Sequence, residues 1–222
     1  MDQRKIDSKN GAAFRQQVPQ VLFVHGMGRS PLSGWPLLWC LKRAGLKTHT
    51  FGYAVTIDDF AEIVDRLVAR MEQLARKGDY VVIGHSLGGV LLRAAITRLP
   101  ANMSAPKHLF LLGSPIQASR LAQRLQSNLI FRALTRDCGQ LLGSRQRMLE
   151  IGAVAIPVTV LAGIRGVPEK LGWFGREAND GIVSVSETCA DWIGDRVELT
   201  LPHTLLPSSP RVADVILKRL GK

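Results

Sequence analysis

The run Asp79-Tyr80-Val81-Val82-Ile83 passes directly into Gly84-His85-Ser86-Leu87-Gly88-Gly89, and then into apolar residues at helical spacing. Few folds admit that order. It describes a short buried strand, a tight glycine-flanked turn, and a helix lying back on the sheet. A serine at the tip of such a turn projects its hydroxyl, and small residues two before and two after it relieve crowding. This is the G-x-S-x-G spacing of a nucleophile elbow. Leu87, Val90, Leu91, Ala94 and Ala95 recur as one face, so the helix is expected to be amphipathic. A glycine-rich turn without chemistry would share the pattern, so the remaining parts of a site must be found elsewhere.

Further strands are expected at 19–24, 46–53, 108–112, 157–162 and 196–201. A helix over 35–43 stops at Gly45, which suits a left-handed cap. The clearest helix covers 56–76, with Phe60, Ile63, Val64, Leu67, Val68, Met71 and Leu74 on one face and Thr56 with Asp59 as a capping-box-like start. The last helix begins at Ser209-Pro210, serine as N-cap and proline first in the helix. Alternation of helices with apolar strands predicts an α/β fold: a mostly parallel, roughly six-stranded sheet with helices on both faces. Ligand sites in such sheets lie beyond the carboxyl ends of the strands. His25-Gly26, Ser86, Gly113-Ser114 and His203 each follow a strand and should gather at that edge.

The chain has 222 residues, 46% of them hydrophobic, enough for one domain at 18–222 behind a polar arm at 1–17. No apolar run suits a bilayer span or a signal peptide. Cys40, Cys138 and Cys189 are odd in number and widely spaced, which fits reduced thiols and a cytoplasmic setting. A net charge of +11 raises the question of nucleic acid. No basic run is interleaved with aromatics and no recognition signature is present, so no specific nucleic-acid partner is expected. The charge suits a basic solvated surface, and leaves peripheral contact with anionic lipid open. No oligomeric state follows from it.

A serine needs a base, and the chain has five histidines. His25 and His85 sit in glycine-rich turns, His49 lies inside a strand and His108 begins one. His203, between the last strand and the last helix, is the expected base. An acid must hold its tautomer. Asp180, in Asn179-Asp180-Gly181 on the long loop after 157–162, is preferred over Asp191, in an expected helix, and Asp195, just before the last strand. The alternative account of Asp180 is an Asx-type turn beside a glycine. Backbone N–H groups of Leu87 and Met27 are the expected oxyanion donors.

Ser86, Asp180 and His203 in that order, with His25-Gly26 early and Gly-His-Ser-Leu-Gly-Gly in the middle, resemble the α/β-hydrolase superfamily. The lipase and esterase branch, small bacterial lipases in particular, is nearest. The resemblance spans roughly 19–220 and implies a compact α/β-hydrolase fold without the first two antiparallel strands of larger members. It also implies an acyl-enzyme mechanism with no metal and no organic cofactor. One departure stands out: related proteins often carry Gly-Thr-Pro-His-x-Gly where this chain has Gly113-Ser114-Pro115-Ile116-Gln117-Ala118.

The resemblance places a small cap over 116–150, between the fourth and fifth strands. There Leu121, Leu125 and Leu129 fall at four-residue spacing. Arg120, Arg124, Arg132, Arg136, Arg145 and Arg147 outnumber Asp137 and Glu150, which would favour an acidic head group. Trp173 and Phe174 are candidates to wall an acyl pocket. The expected activity is hydrolysis of a small-molecule carboxylic ester. The alternatives are a thioesterase or acyltransferase with the same triad, and a non-catalytic binding module on the same fold.

Overall fold

The computed structural model describes residues 19–169 and 172–222. The N-terminal arm expected at 1–17 lies outside them. Six parallel strands, β1 (Gln20–Val24), β2 (Lys47–Phe51), β3 (Tyr80–His85), β4 (Leu109–Leu112), β5 (Val158–Gly163) and β6 (Asp195–Leu199), form one sheet in the order β2-β1-β3-β4-β5-β6. The chain leaves β1 toward one side and returns at β3 on the other. The loops after these two strands therefore flank the point where strand order reverses, the place where open α/β sheets bind ligands.

Alternate residues of the central strands feed two cores. Leu22, Val24, Val82, Leu109, Leu111 and Val160 pack under α2 (Phe60–Ala75) and α3 (Leu87–Thr97). Val21, Phe23, Val81, Ile83, Phe110 and Leu112 pack under α1 (Trp35–Arg43) and α7 (Pro210–Arg219). Burial on both faces makes these strands apolar throughout. The edge strands differ: β2 and β6 are only half buried, and β6 alternates in the sequence Asp-Arg-Val-Glu-Leu.

The helices correct three expectations. The long helix starts at Phe60, not at 56, because Asp59 is its N-cap and Glu62 accepts from the Asp59 N–H at 3.0 Å. Thr56 lies in the preceding turn, where Ile57 and Asp58 both donate to the Ala54 carbonyl. The helix after Ser86 is not amphipathic: every residue from Leu87 to Ala95 is buried, Arg93 included. Between β4 and β5 stand α4 (Arg120–Leu125), α5 (Leu129–Gly143) and α6 (Arg145–Glu150). The chain leaves the helix between Leu125 and Leu129, so the leucines at 121, 125 and 129 do not form one face. Leu121 and Leu125 are half buried and Leu129 points to solvent at 76% exposure.

Candidate active site

The elbow is built by close approach. A Cβ at Gly84 would be driven into the backbone of Gly88 and Gly89, and one at Gly88 into the carbonyls of Val24 and His25. Only hydrogen at those positions lets α3 begin against the ends of β1 and β3. Ser86 sits at the turn with φ 52° and ψ −123°, a region costly for a residue with a side chain. Its N–H donates to the Leu112 carbonyl at 2.9 Å, which ties the strained residue to β4. Its hydroxyl forms no hydrogen bond among the described residues and is partly exposed.

Asp180 and His203 come together across 23 residues of chain. His203 Nδ1 lies 2.7 Å from Asp180 Oδ2, with both side chains buried. The His203 N–H also donates to the Asp180 carbonyl at 2.9 Å. The other carboxylate oxygen, Oδ1, accepts from the N–H groups of Ile182 at 3.0 Å and Val183 at 2.8 Å. The Asx-type turn and the histidine partner are therefore one residue, with one oxygen given to each. Asn179 steadies the same loop, accepting from Val167 N–H at 2.9 Å and Gly181 N–H at 3.0 Å.

His85 brings this pair next to Ser86. Its ring lies 4.7 Å from that of His203, and its Nε2–H donates to the His203 carbonyl at 3.1 Å. Burial, and then the neighbouring His203, pushes its pKa down to about 3, so the ring is neutral at any working pH. His25 shapes the other turn: its ring stacks on Tyr53 at 4.2 Å, and its Nδ1 bonds the Gly26 carbonyl at 2.8 Å. Burial lowers its pKa too. His49 lies within β2, beside Leu22 of β1, and His108 lies just before β4, bonding Thr159 at 2.8 Å.

Gly113 closes the site from below. It has φ +53°, and a Cβ there would meet Asp180 Oδ2 at 2.9 Å and His203 Nδ1 at 3.0 Å. Leu87 is the first residue of α3, so its N–H belongs to the helix terminus and has no partner within the helix. The Met27 N–H is free of backbone hydrogen bonds among the described turns, beside Gly28 with φ +66°. Met27 follows β1 and Leu87 follows β3, so both residues lie beyond the carboxyl ends of strands, as Ser86 does.

The competing acids lie elsewhere. Asp195 opens β6 at the far end of its strand, bonded to Thr159 at 2.6 Å and Arg219 at 2.9 Å. Asp191 is in a turn rather than a helix. Phe174 is buried, while Trp173 is half exposed beneath the Arg124 guanidinium at 5.5 Å. Among the six arginines between β4 and β5, Arg120 pairs with Glu177, Arg136 with Asp59 and Arg147 with Asp137. Half of the expected basic surface is thus neutralised locally.

Glu187, which was not among the expected site residues, is 3% exposed. Its carboxylate accepts from Ser184 N–H and Arg120 N–H at 2.6 Å each, and its carbonyl accepts from Ile116 at 2.7 Å and Gln117 at 3.1 Å. It locks the departing loop at 113–118 to the loop that carries Asp180. The Ser-Val-Ser-Glu pattern signals only the contact with Ser184, three residues away; Arg120, Ile116 and Gln117 are main-chain partners distant in sequence.

A family model described as Thioesterase domain matches residues 46–154. No curated protein matches the chain. Among solved structures, a lipase of Bacillus licheniformis in its mature form superposes with a TM-score of 0.74 at 16% identity, covering 92% of each chain. A hydrolase of the α/β superfamily from Xanthomonas campestris gives a TM-score of 0.61 at 14% identity, over 91% of this chain and 98% of its own. A thioesterase of prodiginine biosynthesis from Streptomyces coelicolor gives 0.60 at 16% identity, over 91% and 89%. Sheet order, elbow and these likenesses show that the chain has an α/β-hydrolase fold.

Proposed function

We propose that this chain is a serine hydrolase that cleaves carboxylic esters through Ser86, His203 and Asp180. The observation that carries this is the buried 2.7 Å contact of His203 Nδ1 with Asp180 Oδ2, held by His85 beside a strained Ser86. With Nδ1–H donated to Asp180, the lone pair of His203 is on Nε2 and serves as the base. Ser86 Oγ attacks the acyl carbon as Nε2 takes its proton, and the carbonyl electrons move onto oxygen. The N–H groups of Met27 and Leu87 stabilise that oxyanion. Its collapse expels the alcohol, which takes the proton from Nε2. Water then repeats the sequence on the acyl-enzyme and releases the acid. Asp180 stabilises the imidazolium in both halves. Trp173 and Phe174 are the proposed wall of the acyl pocket, and 116–150 the proposed cap.

A second reading, thioester cleavage by the same groups, is favoured by the family model over 46–154. The chemistry differs only in the leaving group. Turnover of p-nitrophenyl butyrate and of a matched butyryl thioester tests both. Hydrolysis of either one, reduced about 10³-fold or more in Ser86→Ala, supports the proposal, and the faster substrate selects the reading. Turnover unchanged in that variant removes Ser86 as the nucleophile.

A further inference from the structure

Arg93 lies seven residues beyond Ser86 on α3, about 10 Å along the helix axis. It is 2% exposed, yet it forms no salt bridge among the described residues. Nη2–H donates to the Gly152 carbonyl at 2.7 Å and Nη1–H to the Ile116 carbonyl at 3.4 Å, while Nε has no partner. The Trp192 ring, 5.4 Å away, supplies the remaining local compensation. Burial lowers its pKa only to about 10, so the guanidinium is charged at neutral pH. A buried charge without a counter-ion is costly, and buried charges are normally paired. The exposed or half-exposed Arg120, Arg136 and Arg147 each have a carboxylate; the most buried arginine has none.

Arg93 lines a cleft of about 670 Å³ bounded also by Ile116, Met148, Ala153 and Trp192, with Arg145 contributing from an exposed position. Ser86, Asp180 and His203 do not line it. Of the charged groups that do, Arg120 is paired with Glu177, and Glu187 is satisfied by two backbone N–H groups. Arg93 and Arg145 are then matched in number by Glu187 and Asp191, yet no carboxylate pairs with Arg93 among the described residues. The apolar part of the lining suits hydrocarbon.

We infer that this cleft is a binding site for an amphiphilic carboxylate, a single negative charge on an apolar body, distinct from the Ser86 site. The carboxylate meets the free N–H groups of Arg93, and the hydrocarbon lies against Ile116, Met148 and Trp192.

The test is calorimetric titration of the full chain with sodium decanoate, 1-decanol and inorganic phosphate, paired with thermal unfolding. Decanoate is expected to bind one to one and raise the unfolding midpoint. Decanol and phosphate should bind at least about tenfold more weakly, since each lacks half of the recognition. Arg93→Met and Ala153→Trp should each weaken decanoate about tenfold or more, and Ser86→Ala should leave its affinity unchanged. Where Arg93→Met fails to fold, Ala153→Trp decides, because it fills the cleft and leaves Arg93 in place. Absence of decanoate binding, equal binding of decanol or phosphate, or full affinity in Ala153→Trp overturns the inference.

Discussion

Asp180 and His203 meet twice, side chain to side chain at 2.7 Å and main chain to main chain at 2.9 Å. The second bond fixes the distance between two loops whose anchors are on different strands, so the imidazole is oriented before any substrate arrives. Asp180→Asn should therefore keep the fold and lose the correct tautomer. We expect kcat to fall by about 10³ to 10⁴ with a nearly unchanged unfolding midpoint. Steady-state rates and a melting curve check this. A fall of less than tenfold would remove Asp180 from the mechanism.

Ser86 holds φ 52°, a conformation that glycine adopts without penalty. Ser86→Gly is expected to abolish turnover and to raise stability by about 1 kcal/mol, as strain at the elbow is released. Urea unfolding of both proteins measures the difference. A destabilised variant would mean that the elbow carries no strain.

Gly113→Ala places a methyl group within 3.0 Å of both Asp180 Oδ2 and His203 Nδ1 at a backbone angle of φ +53°. A stability loss of about 1–3 kcal/mol is expected from the angle alone. Activity should fall further than stability explains, because the pair is pushed apart. Rates measured well below the melting temperature separate the two effects.

His85 has its pKa lowered to about 3 by burial and by His203. In the unfolded chain a histidine protonates near pH 6.5. Between those values the unfolded state binds the extra proton, so stability is fully present above about pH 6.5 and declines as pH falls. The slope is about 1.4 kcal/mol per pH unit for each histidine kept neutral. His25 and His108, also lowered by burial, contribute with the same sign below about pH 6.5. His85→Gln should have a shallower dependence between pH 6 and pH 4 in urea titrations. An identical slope would contradict the buried, neutral ring.

The strands themselves and the gathering of His25, Ser86, Gly113 and His203 at one edge were legible because each depends on local patterns, apolar runs ended by glycine turns; the strand order, set by long-range pairing, was not. The start of α1 and its stop at Gly45, with φ +86°, were legible for the same reason. The start of α2 was misplaced because Thr56 and Asp59 mimic the pairing that Asp59 and Glu62 make. Arg93 and Glu187 were invisible for a different reason. An arginine among Leu91, Leu92, Ala94 and Ala95 looks like the polar face of a surface helix, and only the packing of α3 between the sheet and its neighbours buries it. Glu187 looks like an ordinary loop acid until the fold brings Arg120 and Ile116 against it.

The proposed chemistry rests on activation of the Ser86 hydroxyl by His203 and Asp180. Its most direct measurement is reaction of the intact chain with a fluorophosphonate, followed by mass spectrometry of the peptides. The serine oxygen displaces fluoride from phosphorus and its proton leaves with the fluoride. A single adduct is expected on Ser86, absent in Ser86→Ala and formed at least about 100-fold more slowly in His203→Ala. No adduct, an adduct on another residue, or equal labelling of the folded His203→Ala variant would contradict it.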